Sequence, residues 1–165
     1  MNNHIMYIII HHTERNNDFP AFVRFRHRHL RGWDDVGYHY LIGNKRPFTK
    51  DGHLYVGRQE KCVGAHALGY NNRSLGVCLI GNISNTNPSS KQLQTLVSLL
   101  REKTKQYQIP VQHILGHCEL PNVEKSCPGD YLDMVSIRQA VTGQIELSAL
   151  LAMSCDKFVP SLCTE

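Results

Sequence analysis

Nowhere in this sequence do 18 apolar residues follow one another, so no helical membrane span is expected. The opening, MNNHIMYIIIHHTE, lacks a basic stretch leading into an apolar region and a small-residue cleavage site. No signal peptide is read there. Synthesis in the cytoplasm is expected, and any action outside needs another exit. Internal repeats and low-complexity linkers are also missing. Charged residues are sparse, at 19% against 41% apolar. That balance is ordinary for a globular protein, and 165 residues suit one domain around one core. The net charge of +4 permits an anionic partner without requiring one. Nucleic acid is not expected as a partner, and a monomer is expected.

What the chain does contain is cysteine and histidine. The cysteines are Cys62, Cys78, Cys118, Cys127, Cys155 and Cys163. The even count suggests bridges, yet the chain is long for a disulfide scaffold and carries no secretion signal. Cys78, inside the apolar run SLGVCLIG, reads as a buried free thiol. Cys155 and Cys163 carry no assignment.

The patterning reads as α/β. HIMYIII (4–10) and SLGVCLIG (74–81) are short apolar runs that predict buried strands. YHYLIG (38–43) and HLYVGR (53–58) flank a turn-rich NKRPFTKDG and predict two further strands. HILGH (113–117) predicts a short strand ending on His117. Residues 18–31, opening on Asp and Pro, predict a helix. Residues 89–107 carry Leu93, Leu96, Val97, Leu99 and Leu100 at helical spacing, with Ser89 or Ser90 as cap. A further helix is predicted from Pro128 to Val141. The expected architecture is a single domain with a central, mixed, mostly parallel sheet flanked by helices.

Within the first helix, VRFRHRHLR (23–31) concentrates Arg24, Arg26, Arg28 and Arg31 with His27 and His29. It reads either as a solvated face or as a patch for a polyanion. At the carboxyl ends of the strands, where α/β sheets build their sites, the first run ends in His11-His12 and HILGH ends in His117, with Cys127 ten residues later. Two imidazoles and a thiolate suit zinc, with a fourth position left open to water. The same residues also fit polar side chains that merely close strand ends. Cys118 leaves the strand on the opposite side from His117 and is not expected on the same ion.

Four stretches in order, IIIHHT, GWDDVGYHYLI, GRQEKCVGAHALGYNNRSLGVCLIG and GHCELPNVEKSCPGD, resemble the zinc-dependent N-acetylmuramoyl-L-alanine amidases. That family includes amidase-type phage lysozymes and peptidoglycan recognition proteins. The resemblance covers residues 5–135 and implies a zinc site at the sheet edge, with His11, His117 and Cys127 as ligands. It implies catalytic roles for Tyr38 and Lys125, and muramyl-peptide contacts from the GAHALGYN loop through His66 and Asn71. His39 alternates away from Tyr38, and packing is its expected role. The implied reaction is hydrolysis of the amide between N-acetylmuramic acid and the L-alanine of the stem peptide by a zinc-activated water. Small size and the missing signal peptide imply an endolysin-type enzyme acting on the bacterial cell wall. A wall-recycling amidase is a second reading, although such relatives use Asp where Cys127 stands. A non-catalytic peptidoglycan-recognition module is the third, and it sits poorly with Tyr38, Lys125 and Cys127 all being present. The amidase domain is expected to span 1–141, with 142–165 as an extension of unassigned role.

Overall fold

The computed structural model describes residues 4–156, except for the side chains of 154–156. Positions 157–165 of the extension, with Cys163, lie outside the described residues, as does the side chain of Cys155. The strands are β1 (Tyr7–His12), β2 (Tyr40–Ile42), β3 (Leu54–Val56), β4 (Ser74–Leu79) and β5 (Ile114–Gly116). They form one sheet in the order β3-β2-β4-β1-β5. The β1–β4, β1–β5 and β2–β4 pairs are parallel, and β3 is an antiparallel edge. The expected mixed, mostly parallel sheet is therefore present.

Alternation divides the sheet faces. Ile8 and Ile10 of β1, with Leu75, Val77 and Leu79 of β4, pack on one side against α2 (Ser90–Tyr107) and α3 (Met134–Thr142). Cys78 and Ile80 face the other side, with Val23 of α1 (Pro20–Phe25). Ser89 caps α2, accepting from the Gln92 amide while the Gln92 side chain accepts from the Ser89 amide. The expected helix from Pro128 begins only at Met134. Gly129 has φ +106°, which a helix does not admit, and Asp133 supplies the cap by accepting from Val135 and Ser136. The first helix also departs from expectation, because Arg26–Leu30 forms a π-helical segment directly after α1. In the extension, α4 (Leu147–Asp156) places Leu150 in the core shared with α2 and α3. Among the described residues, no helix is long and apolar enough to cross a membrane.

A polar cluster ties the loop after β3 to α2. Glu60 accepts from Lys103 at 2.8 Å and from the hydroxyls of Tyr107 and Tyr40. Burial raises the Glu60 pKa, but these three donors outweigh it and hold the carboxyl below its usual range. A depressed folded-state pKa stabilises the fold above the carboxylate range, and that stabilisation is lost as pH falls through it. Glu60→Gln should therefore destabilise by about 1–3 kcal/mol at neutral pH. Urea melts should show wild type and variant converging in acid, and a gap that persists in acid would remove this role.

Candidate active site

The site is assembled at the carboxyl ends of β1 and β5. Alternation puts His11 on the face away from α2, in register with Cys78 of β4. His12 belongs to the opposite face, where its Nδ1 accepts the Ile83 amide at 3.0 Å. This separates the two adjacent histidines into one free donor and one structural acceptor. β5 pairs with β1 up to Gly116, so His117 emerges beside His11, with ring centroids 4.5 Å apart. The Cys118 amide donates to the Cys127 carbonyl at 2.6 Å, which folds the second cysteine back over the strand end. Cys127 Sγ then lies 3.6 Å from His11 Nδ1. One donor atom each from His11, His117 and Cys127 falls within 4.8 Å of the others. Cys118 is exposed and outside this group.

Hydrogen bonding assigns the His11 tautomer. The Ser74 hydroxyl donates to the Tyr70 carbonyl at 2.7 Å, so its oxygen is left to accept Nε2–H of His66 at 3.4 Å. His66 Nδ1 is then the acceptor for Nε2–H of His11 at 3.1 Å. His11 consequently presents the lone pair of Nδ1 toward Cys127 and His117, as a ligand requires. Gly76 is what lets the His66 ring lie against the sheet, since a Cβ there would stand 2.6 Å from it. Asn71 fixes the loop, its side-chain oxygen accepting from the His66 and Ala67 amides at 2.7 and 2.8 Å.

The electrostatics favour neutral donors. Burial, then His66, His117 and His12, depress the His11 pKa well below the ordinary value. His117 is lowered by burial and by the Lys125 ammonium. Burial pushes the Cys127 thiol up to about 12. A thiol so hard to ionise becomes a thiolate ligand only beside a cation. This N, N, S set, with His11 and Cys127 buried, His117 half-buried and one ligand short of four, fits a tetrahedral divalent ion with one open position. Around it lies a cleft of about 130 Å³ lined by Tyr38, His66, Trp33, Arg26, Arg31 and Lys125, among others. The Tyr38 ring sits 5.2 Å from His11, and burial, followed by the neighbouring Cys78 and Cys127 thiols, raises its phenol well above the ordinary value. It therefore stays protonated as a donor.

A model of the N-acetylmuramoyl-L-alanine amidase family matches residues 1–130. The chain belongs to that family. It is 32% identical over 136 residues to peptidoglycan-recognition protein SC2 of Drosophila melanogaster, covering 77% of this chain and 70% of that one. It is 40% identical over 103 residues to the endolysin of Escherichia phage T7, covering 59% of this chain and 62% of that one. In structure it resembles the N-acetylmuramoyl-L-alanine amidase LysC from Clostridium intestinale URNW, with a TM-score of 0.75 at 31% identity over 84% of this chain and 86% of that one.

In this amidase, His11, His117, Cys127, Tyr38 and Lys125 come together around one cleft. The two expected substrate contacts sit differently. His66 borders the cleft but is bonded to His11, and Asn71 is absent from the lining because its oxygen is engaged by the loop backbone. His39 is fully buried, with Nδ1 accepting the Gly76 amide. The basic helix is also less open than its composition suggests. Arg24 bonds Asp35 at 2.6 Å, and Arg26 holds Asp18 through both carboxylate oxygens at 2.6 and 2.7 Å. His27 is buried, accepting the Gly37 amide and touching Trp33. Sequence reasoning missed Trp33, Arg26 and Arg31 as cleft walls. Trp33 stands within GWDDVGYHYLI, and Arg26 and Arg31 within the basic segment 23–31, but neither stretch by itself shows that it borders the cleft.

Cobalt titration of the apo-amidase should saturate at about one ion per chain and give a thiolate charge-transfer band that Cys127→Ser abolishes. His66→Ala should keep the fold and weaken metal affinity on the order of 10–100-fold by freeing the His11 ring. Unchanged affinity would show that His66 does not orient its neighbour.

Proposed function

We propose that this amidase hydrolyses the amide joining N-acetylmuramic acid to the L-alanine of the stem peptide, with zinc held by His11, His117 and Cys127. The observation that carries this reading is the three-donor cluster standing beside Tyr38 and Lys125 in a single polar cleft. When bound there, zinc supplies Lewis acidity and a water activated near neutral pH. The chain's own groups divide the remaining work. Tyr38, kept protonated by burial, donates a hydrogen bond toward the scissile amide. Lys125 is exposed at the cleft wall and close enough to His117 to lower its basicity, so its ammonium offsets negative charge developing on the carbonyl oxygen. His66 and Ser74 hold His11 in its ligating tautomer, and Asn71 shapes the loop that walls the cleft.

An endolysin-type role on the bacterial wall is the biological setting we infer. Support comes from the similarity to a phage endolysin and from the presence of the full set of Tyr38, Lys125 and Cys127. The similarity to a peptidoglycan-recognition protein keeps binding without hydrolysis as the second reading.

Purified peptidoglycan incubated with the zinc-loaded protein should release new L-alanine amino termini. Lys125→Ala and Tyr38→Phe should each lower that rate about a hundredfold or more while zinc content and muramyl-peptide binding persist. Wild-type rates in both variants would remove these residues from the mechanism. Binding without release by the wild type would establish the recognition reading instead.

A further inference from the structure

The chain has five phenylalanines, and the four at described positions all avoid the core. They form one surface row. Phe48 meets Phe19 at 5.4 Å between ring centroids, Phe19 meets Phe22 at 5.7 Å, and Phe22 stacks on Phe25 at 6.3 Å. His29 extends the row, 4.6 Å from Phe25. Phe22 is 38% exposed, Phe25 49% and Phe48 82%, with Leu30 beyond them at 73%. A phenylalanine is among the largest apolar contributions a core can receive, so collecting every described one outside the core marks the surface. Phe48 is further anomalous. It has φ +68°, a left-handed backbone that bulky residues seldom adopt and that Asn or Gly would accept more readily.

The charges around the row are mostly basic. Lys45, Arg46 and Lys50 flank Phe48, and Arg28 follows Phe25; none of these four has an ion pair among the described residues, whereas Arg31 lies over the Trp33 ring in the cleft. Of the nearby carboxylates, Asp18 is paired by Arg26 and Asp35 by Arg24, while Asp51 accepts from the Ser89 hydroxyl and keeps its charge. We propose that this aromatic ridge, carried by α1 and the loop between β2 and β3, docks on the interface of an anionic phospholipid bilayer. The phenylalanines would enter the boundary between headgroups and acyl chains, and the free cations would face the headgroups. A polyanionic wall polymer would use the cations but give the rings no apolar phase to enter, which is why the bilayer is favoured. Arg26, in the π-helical segment behind the ridge, and Arg31, which caps that segment, both line the cleft, so docking would also orient the cleft relative to the membrane.

The test is co-sedimentation of the full chain with vesicles of phosphatidylcholine, with and without phosphatidylglycerol, and separately its binding to dextran sulfate. Affinity should be about tenfold or more higher on the phosphatidylglycerol vesicles and should fall as salt rises. Phe48→Asn should weaken vesicle binding about tenfold while leaving the thermal midpoint unchanged or higher, because Asn tolerates the left-handed backbone. The double change Phe22→Ser with Phe25→Ser should weaken it further and leave dextran sulfate binding intact. Vesicle binding that survives in Phe48→Asn and in the double variant would mean attachment by charge alone, to a polyanion, and would overturn the proposal. Absence of binding to phosphatidylglycerol vesicles would overturn it too.

Discussion

Parallel pairing on both sides of β1 is the constraint on which this structure depends. β1 is bonded to β4 along its whole length and to β5 at its centre, so its backbone is satisfied and its residues project alternately into two different environments. Ile8 and Ile10 enter the helical core, and His11 is delivered to the opposite face in fixed register with Cys78. The short β5 then sets His117 beside it. A one-residue slip of β1 that brought Ile10 to the position of His11 would replace a donor in the cleft by an alkyl side chain. Fold stability and site geometry therefore rest on the same ladder.

The site adds a cost that the core must absorb. His11 and Cys127 are buried and His66 and His117 half-buried, and burial depresses the basicity of the three imidazoles and raises the thiol pKa. A backbone group anchors the His66–His11 relay at the Tyr70 carbonyl, and the Ile83 amide separately fixes the neighbouring His12.

The first helix shows how one segment can serve two surfaces. Its inward side buries Val23 and His27, and Arg26 reaches Asp18, which is itself buried. The outward side leaves phenylalanines and arginines to solvent. His27, four residues after the buried Val23, lies on the same inward side, and this splits the row of alternating basic residues.

Much of this protein was legible in its sequence. Apolar runs with few polar interruptions set the buried parallel strands, the Leu-rich period and Ser89 set α2, and the ordered motifs around His11, Tyr38, His117 and Cys127 marked the site, because each depends on local spacing. What sequence could not fix was set by partners far along the chain. The start of α3 was decided by the conformation at Gly129 and by the Asp133 cap rather than by Pro128. His11 was separated from His12 by which face of β1 meets Ile83. Asn71 and His66 came to brace the loop backbone and the His11 ring once the Ser74 hydroxyl and that ring came within reach. The apparent basic patch lost Arg24 and Arg26 to Asp35 and Asp18, and His27 to the interior. Spacing determines which elements form and which chemistry they carry, whereas hydrogen-bond and ion-pair partners are chosen only when packing brings distant residues together, and that choice belongs to the tertiary structure.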